Sequence, residues 1–328
     1  MPPARSGASR SMRRAPGRGR PPPSKPPFQT VLTAAHAKVN LILDVVARRP
    51  DGYHEIRSWL TLLDLADSLK IERAARGVRV EVPAAPELET RDNLVVRAAE
   101  AFRDRFGGPK GVRIRLDKRI PITAGLGGGS SDAAATLRAL ARLEGVDDPG
   151  ALHELAAGLG SDVPFFLALR AAVIAGRGER VVSAPAAPPC WILLVKPPFG
   201  ISAAEAYRAW RPRRAALTAL QADANEWMKR RLPRSALAKA EALGELLSND
   251  LQPGAAKLFP ELRSVLRRLS ALSPLGVLMS GSGPTCFAVF PDHVSARRAR
   301  RAFRRKAGEA LWVARPIFRA NWVSECRS

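Results

Sequence analysis

The 328-residue sequence is poor in the features that define several large classes of protein. Its three cysteines are far apart and odd in number, which argues against a disulfide framework and favours a reducing compartment. Its four histidines show no metal-ligand spacing with one another or with cysteine. No apolar run approaches the roughly 18–20 residues needed to cross a bilayer, because Arg170 interrupts the best candidate. Disulfide-stabilised, zinc-dependent and membrane-spanning proteins are therefore disfavoured.

Several well-known catalytic and nucleotide-binding motifs are also missing. There is no Gly-x-Ser-x-Gly elbow. A glycine-rich segment at 125–129 lacks the following lysine of a Walker A loop. Ser130 stands where a dinucleotide fingerprint needs its third glycine, and the preceding strand is separated from the glycines by residues 117–121. This segment is therefore neither of those two loops.

Acidic residues are scarce relative to basic ones. The chain has 53 Lys and Arg against 30 Asp and Glu, a net charge of +23. Residues 1–30 carry seven basic residues and no acid, and residues 297–306 carry seven basic residues in ten. This balance favours anionic partners such as nucleotides, acidic metabolites or nucleic acid. Arginine and alanine are abundant throughout, so charge alone is a weak functional argument.

Residues 1–30 have almost nothing to bury, and we predict a disordered basic extension. An organellar transit peptide, a nucleic-acid-binding tail and a start at Met12 are the alternatives. The extension lacks the apolar stretch of a secretory signal. We expect a cytoplasmic protein, with plastid import as the alternative.

The most informative stretch is the glycine-rich segment from Pro121 to Asp132. Its four crowded glycines open backbone conformations that other residues avoid, and an Ala/Leu-rich helix follows. Ser130, Ser131 or Asp132 is predicted to cap that helix. A glycine turn that leads into a helix N-terminus binds phosphate, because free N–H groups and the positive dipole end converge there. A mobile linker is disfavoured, because a predicted strand and a long helix flank the segment.

Three further segments carry candidate site residues. Lys38 is flanked by apolar residues in a predicted central strand, so it needs an anion, a shifted pKa or an exit at the strand end. Asp162 precedes a Val-Pro-Phe-Phe run and either caps the short helix begun by Pro164 or takes part in chemistry. Tyr53 and His54 leave a turn and could hold a flat ring, although a plain surface turn is the alternative.

These segments together resemble the GHMP kinase superfamily (galactokinase, homoserine, mevalonate and phosphomevalonate kinases). The resemblance rests on Ala37-Lys-Val-Asn-Leu, Asp51-Gly-Tyr-His-Glu, the segment 121–134, Gly160-Ser-Asp-Val-Pro-Phe-Phe and Met279-Ser-Gly-Ser-Gly-Pro-Thr-Cys-Phe. It implies an α+β, two-domain GHMP kinase fold with a ribosomal-protein-like N-terminal domain and a ferredoxin-like C-terminal domain. The implied ATP-binding domain spans residues 31–185, and the second domain spans residues 186–325. Thr123 departs from the family pattern, since many relatives have glycine there.

The branch that the motifs match most closely transfers the ATP γ-phosphate to the 2-hydroxyl of 4-diphosphocytidyl-2-C-methyl-D-erythritol, in the non-mevalonate route to isoprenoids. By position within the motifs, Asp162 is the implied catalytic aspartate and Lys38 its partner lysine. The implied ATP-binding residues are Pro121, Ile122, Thr123, Ala124, Gly125, Leu126, Gly127, Gly128, Gly129, Ser130 and Ser131. The implied substrate-binding residues are Asn40, Tyr53, His54, Gly281, Ser282 and Gly283, with Phe199 or Tyr207 as a second face for the cytosine.

The implied cofactors are ATP and Mg²⁺, with Ser130 or Ser131 as metal ligand. The implied partner is a small-molecule substrate, without a membrane or nucleic acid, and the protein is expected to be a monomer or a weak homodimer. Two alternatives stay open from the sequence. One is another small-molecule kinase of the superfamily, such as a homoserine kinase, and the other is RNA binding driven by the +23 charge.

Overall fold

The computed structural model describes residues 29–212, 223–233, 237, 239–318 and 324–326. The predicted disordered extension lies outside the described residues as far as residue 28.

Two long antiparallel strands form the centre of the larger sheet, β1 (Thr30–Arg48) and β2 (His54–Ala74). The first half of β1 alternates between buried and half-buried positions, and residues 37–43 are all buried because both faces of the sheet are covered there. The chain from His54 to Ala74 forms one continuous strand, which β3 (Gly77–Glu81) follows.

The main path of this sheet also contains β4 (Gly111–Asp117) and β13 (Ser324–Cys326), and its order is β13–β1–β2–β4–β3. The strands off this path are β5 (Ala172–Gly176), β6 (Arg180–Ser183), β8 (Ser248–Asn249) and β12 (Pro316–Ile317). The strands β5 and β12 pair with β2, and β8 pairs in parallel with β1. Three strands that follow residue 240 in the sequence, β8, β12 and β13, therefore belong to the larger sheet.

Four helices belong to this half of the fold: α1 (Leu94–Phe106), α2 (Gly128–Glu144), α3 (Pro149–Leu159) and α4 (Val163–Ala168). Helix α1 begins at Leu94, because the Asn93 side chain caps it by accepting a hydrogen bond from the Val95 amide at 2.9 Å. Almost every residue of α2 from Ser131 to Leu143 is buried. Because its many alanine side chains are small, α2 packs closely between α1 and the sheet.

The second sheet has the order β11–β7–β10–β9 and is antiparallel throughout. Its strands are β7 (Trp191–Lys196), β9 (Gly276–Met279), β10 (Cys286–Phe290) and β11 (Ala310–Ala314). The accompanying helices are α5 (Ala203–Ala209), α6 (Ala224–Arg231), α7 (Ala240–Leu246), α8 (Gln252–Leu258), α9 (Pro260–Ser270) and α10 (His293–Ala302). Within the described residues, no helix has the length and hydropathy of a membrane span.

The segregated sheets and helices confirm the α+β class. The boundary between residues 185 and 186 stays a prediction; it falls in the connection between β6 and β7.

Candidate active site

The glycine-rich segment lies between the two sheets, where it starts helix α2. The helix begins at Gly128, and Gly127 is the N-cap residue with a left-handed φ of 72°. The Ser131 amide donates to the Gly127 carbonyl at 2.9 Å. The prediction that Ser130, Ser131 or Asp132 caps the helix is therefore wrong, because these residues already lie inside it. Two of the glycines, at 128 and 129, form its first turn and leave their N–H groups unobstructed by side chains.

A second glycine loop, residues 280–284, packs directly against the first. The Ser280 hydroxyl donates to the Gly125 carbonyl at 3.0 Å, and the Thr285 amide donates to the Ala124 carbonyl at 3.3 Å. Gly125 has a φ of 74°, and a Cβ atom there would lie 2.6 Å from the Ser280 carbonyl oxygen. Only glycine satisfies both the backbone conformation and the contact.

Gly125→Ala is expected to destabilise the protein by at least about 1–2 kcal/mol, the cost of a left-handed L-residue, and to lower activity by separating the loops. Urea unfolding followed by far-UV circular dichroism measures the first effect. Gly158→Ala in helix α3 is the matched control: a Cβ there meets nothing within 4 Å, so we expect a gain of up to about 1 kcal/mol. Equal stability of Gly125→Ala and the wild type would contradict the packing argument.

Lys38 lies on β1 with its side chain 5% exposed, under both loops. Its Nζ donates to the Asn40 Oδ1 at 2.6 Å and lies 3.6 Å from the Asp162 Oδ2. Asn40 in turn donates to the Ser58 hydroxyl at 2.8 Å. A Cβ on Gly281 would lie 3.1 Å from the Lys38 Nζ. The ammonium therefore has an anionic partner, and the alternative in which it leaves the strand end for solvent is excluded.

Asp162 occupies the N-cap position of α4 but makes no capping hydrogen bond with its side chain. Its carboxylate is one-third exposed and faces Lys38 across the cleft. Further along α4, Phe166 packs so closely on the first glycine loop that a Cβ on Gly127 would lie 2.6 Å from its ring. Of the two alternatives for Asp162, capping is excluded, and α4 holds its carboxylate at a fixed place beside the loop.

Aromatic residues form one corner of the cleft. The His54 ring stacks on Tyr207 with a centroid distance of 4.8 Å, and Trp210 meets it edge-on at 5.6 Å. Burial, together with the nearby charge of Arg48, lowers the pKa of His54, so the imidazole is neutral at pH 7. Tyr53 is 52% exposed, and the Arg177 guanidinium lies 4.9 Å from its ring centroid. This corner can hold a flat, polar ring by stacking and hydrogen bonds.

Two clefts meet at the glycine loop. The larger cleft, of about 960 Å³, contains Lys38, Asp162 and the aromatic corner. The smaller cleft, of about 350 Å³, lies over the loop on the side of α1. Gly125, Gly127 and Ser130 line both clefts. A group bound by the loop is thus accessible to molecules in either cleft, which is the arrangement that group transfer between two ligands needs.

Most of the site residues expected from the sequence lie at these clefts. Those at the larger cleft are Lys38, Asn40, Tyr53, His54, Gly125, Gly127, Ser130, Asp162, Gly281 and Ser282. Those at the smaller cleft are Pro121, Ile122, Thr123, Ala124, Gly125, Gly127, Gly128, Gly129 and Ser130. Leu126 and Ser131 are buried beneath the loop, and the carbonyl of Gly283 faces Gly125. Phe199 stacks on Phe259 and does not line the larger cleft, whereas Tyr207 does.

Thr123 has a φ of 51°, the left-handed conformation that glycine adopts most readily. The departure from the family pattern is thus a β-branched residue at a glycine-type backbone position. Its side chain faces Gly200, 3.3 Å from where a Cβ would stand.

Several residues that support the site were not predicted from the sequence. Asn249 donates to the carbonyls of Met279 and Gly281, both at 2.8 Å, and so fixes the second loop. Trp210 packs edge-on against the His54 ring. Four exposed arginines line the larger cleft, namely Arg48, Arg177, Arg208 and Arg211. Asn249 stands in an Asn-Asp-Leu-Gln-Pro turn that precedes a helix, which hints only at a cap.

Comparison with known proteins shows which family has this arrangement. Two family models match, "GHMP kinases N terminal domain" at residues 93–168 and "GHMP kinases C terminal" at residues 234–310. A relative from Pelotomaculum thermopropionicum, named 4-diphosphocytidyl-2-C-methyl-D-erythritol kinase, is 44% identical over 286 residues, which are 86% of this chain and 96% of the relative. The chain belongs to the GHMP kinase family. Membership of this family confirms the two-domain fold expected for it, and it implies that ATP is the phosphate donor.

Further similar proteins have either the same name or the same fold. One from Anaeromyxobacter sp. with the same name is 44% identical over 308 residues, which are 91% of this chain and 94% of the relative. A crystal structure of 4-(cytidine 5'-diphospho)-2C-methyl-D-erythritol kinase has a TM-score of 0.71 and 40% identity, covering 87% of this chain and 98% of its own. Homoserine kinase from Cytophaga hutchinsonii has a TM-score of 0.67 at 17% identity, covering 90% and 97%, and so shares the fold alone.

Proposed function

We propose that this GHMP kinase phosphorylates the 2-hydroxyl of 4-diphosphocytidyl-2-C-methyl-D-erythritol with ATP. The observation that carries the proposal is the aromatic corner of the larger cleft, a ring-binding group beside the Lys38–Asp162 pair. Relatives at 44% identity across most of the chain bear the name of this kinase. Homoserine has no base to stack, and the homoserine kinase likeness at 17% identity extends only to the fold.

The reaction needs a base for the hydroxyl proton and positive groups for the phosphoryl charge. Asp162 takes the proton as the substrate oxygen bonds to the γ-phosphorus, and the bond to the ADP oxygen breaks, with ADP as leaving group. Lys38, within 3.6 Å of that carboxylate, holds it in place and offsets negative charge in the transition state. Asn40 holds the ammonium from the other side at 2.6 Å. Positioning and electrostatics then supply most of the catalysis.

The cytidine end of the substrate lies at the aromatic corner, with Tyr53 and Tyr207 as faces for the cytosine. The neutral His54 can donate from one ring nitrogen and accept at the other, which suits a base edge. Arg48, Arg177, Arg208 and Arg211 line the same cleft, and Asp162 is the single acidic residue among the described residues that line it. This excess of positive charge suits the two phosphates that link the base to the sugar alcohol.

ATP occupies the smaller cleft, with its phosphates over the glycine loop. Among the described residues, no group of three or more His, Cys, Asp and Glu could hold a metal by itself. The donors that do face both clefts are hydroxyl and backbone groups, which fit a Mg²⁺ ion bound mainly by phosphate oxygens and water. Ser130 is the residue that would contact it, because Ser131 is 1% exposed and lines neither cleft. When bound, Mg²⁺ neutralises charge on the β- and γ-phosphates.

ADP release measured with a panel of acceptors tests the function. We expect turnover with cytidine-diphosphate methylerythritol and only background rates with homoserine and mevalonate. The free methylerythritol phosphate, which lacks the cytidine, should have a kcat/KM lower by at least about 100-fold, because stacking of a base on an aromatic side chain is worth about 1–3 kcal/mol and a hydrogen bond to a charged phosphate about 1.5–3 kcal/mol. Turnover of homoserine or mevalonate without turnover of the cytidine substrate would refute the assignment. Binding of RNA without any ATP consumption would favour the RNA-binding alternative instead.

A further inference from the structure

The turn between β1 and β2, which carries Tyr53 and leads into His54, is closed by its own hydrogen bonds. The Gly52 amide donates to the Arg49 carbonyl at 3.1 Å, and the Arg49 amide donates to the Tyr53 carbonyl at 2.8 Å. The Tyr53 amide donates to the Asp51 Oδ1 at 3.1 Å. These bonds lie inside the turn, and the two strands hold only its ends. Its orientation relative to the rest of the larger cleft therefore depends on side-chain contacts.

Glu55, the residue that follows His54, makes such contacts. Its side chain is 18% exposed and does not line the larger cleft. The Oε2 atom accepts a hydrogen bond from Arg49, in the turn, at 3.0 Å. The Oε1 atom accepts from Arg57 on β2 and, at 3.1 Å, from Arg180 on β6. One carboxylate thus connects the turn to two strands of the larger sheet.

The contact with Arg180 reaches a second wall of the larger cleft. Arg180 is the first residue of β6, and residues 177–179 form the turn that joins β5 to β6. Arg177, in that turn, lines the cleft, and its guanidinium lies 4.9 Å from the centroid of the Tyr53 ring. Glu55 therefore contacts both of the elements that bring Arg177 and Tyr53 together.

The charge of Glu55 strengthens these contacts. Burial alone would raise the pKa of Glu55, but hydrogen bonds from Arg57 and Arg49, with the charges of Arg57 and Arg180, hold it below its usual value. The side chain of Arg57 is 6% exposed, whereas those of Arg49 and Arg180 are 35% and 60% exposed. Loss of the negative charge would thus weaken the contacts of one buried cation and of two more exposed ones.

We propose that Glu55 is a positioning residue for the base of the phosphate acceptor. Through Arg49 it holds the aromatic turn, residues 49–54, and through Arg180 it holds the turn at residues 177–179. Both turns line the larger cleft, and the partners of Glu55 lie on the aromatic turn and on β2 and β6, away from the glycine loops. The inference rests on the proposed function, since it needs an acceptor that carries a base.

Calorimetric binding of cytidine 5'-diphosphate and steady-state kinetics with Glu55→Gln, a neutral isostere, test the role. The Kd for cytidine 5'-diphosphate and the KM for the acceptor should each rise about tenfold, roughly the effect of losing one hydrogen bond to a charged group. The KM for ATP and kcat should stay close to the wild-type values. Glu72→Gln is the matched control, because Glu72 lies on the same strand, pairs with Lys70 at 2.9 Å and should retain every wild-type constant.

The outcomes separate this inference from the proposed function. Equal Kd values for cytidine 5'-diphosphate in Glu55→Gln and the wild type would overturn the inference alone. A rise of both KM values together would show a general structural role and would overturn it as well. Wild-type enzyme that neither binds cytidine 5'-diphosphate nor phosphorylates the cytidine substrate would instead refute the proposed function on which the inference rests.

Arg180→Gln keeps the inference testable if Glu55→Gln does not fold. The Arg180 side chain is 60% exposed, so its replacement should leave the fold intact while it frees the turn at residues 177–179 from Glu55. The Kd for cytidine 5'-diphosphate should rise about threefold, within the range of an exposed ion pair, with the KM for ATP unchanged. An unchanged Kd in this variant would contradict the positioning role.

Discussion

Asp162→Asn is expected to lower kcat by at least about 100-fold with little change in the KM for ATP, given the typical size of general-base contributions. Asparagine keeps the shape of the side chain but cannot accept the substrate proton. The helix that follows, α4, receives no capping hydrogen bond from this side chain, so its loss should leave the fold intact. Among the described residues, the carboxylate forms an ion pair with Lys38 and no hydrogen bond with the glycine loop, so nucleotide binding should change little.

Steady-state kinetics with both substrates varied measure kcat and the two KM values, and a thermal melt checks that the variant is folded. Asp147→Asn is a suitable control, since Asp147 is exposed in the connection between α2 and α3 and lies outside both clefts. The control should have wild-type kcat. A kcat for Asp162→Asn within a few-fold of the wild type would remove Asp162 from the role of base and, because asparagine carries no charge, from an electrostatic role as well.

The pairing of Lys38 with Asp162 could be anticipated, although 124 residues separate them. Each residue was anomalous in its own segment, because a charge stood among apolar residues where it needed a partner. The family motifs connected the two, and the structure places them 3.6 Å apart. The backbone adds a link that no pattern contains: the Lys38 amide donates to the Leu126 carbonyl at 3.0 Å, so β1 and the ATP loop are aligned directly.

The start of helix α2 was misjudged for a physical reason. Serine and aspartate are the usual N-cap residues, so the polar triplet after the glycines suggested a cap. A glycine in the left-handed conformation can fill the same position, as Gly127 does at φ 72°. The consequence is functional, since the helix N-terminus and its free N–H groups begin within the glycines and closer to the phosphates.

Other parts of the site depend on tertiary contacts that leave no local pattern. Asn249 donates to the Gly281 carbonyl across 32 residues of sequence, and no local pattern connects the two segments. Trp210 contacts His54 because α5 packs beside the turn after β1, and its sequence neighbours give no sign of that contact. Positions of this kind follow from sheet order and helix packing, which have to be known first.

Lys38→Met is expected to lower kcat by about 10²–10³-fold, the range measured when one preorganised electrostatic group is removed from an active site. The ammonium touches Asn40 at 2.6 Å and pairs with Asp162 at 3.6 Å, so methionine removes the charge and leaves both partners unsupported. Arginine should not restore full activity, because a bulky planar guanidinium does not reproduce the compact ammonium beside Gly281, where even a Cβ would lie 3.1 Å from the Lys38 Nζ. Lys70→Met, on the exposed face of β2, is the control and should retain wild-type kcat.

The double variant Lys38→Met/Asp162→Asn distinguishes two separate contributions from one functional pair. If Lys38 acts by holding and charging Asp162, removing both should cost about as much as the more damaging single change, as for residues that act as a unit. Independent actions would multiply, giving a loss of at least about 10⁴-fold from the two single effects. If the loss of kcat in the double variant equals the product of the two single losses, the lysine does not act through the aspartate. A loss close to the larger single value would mean that the 3.6 Å contact is the unit on which phosphoryl transfer depends.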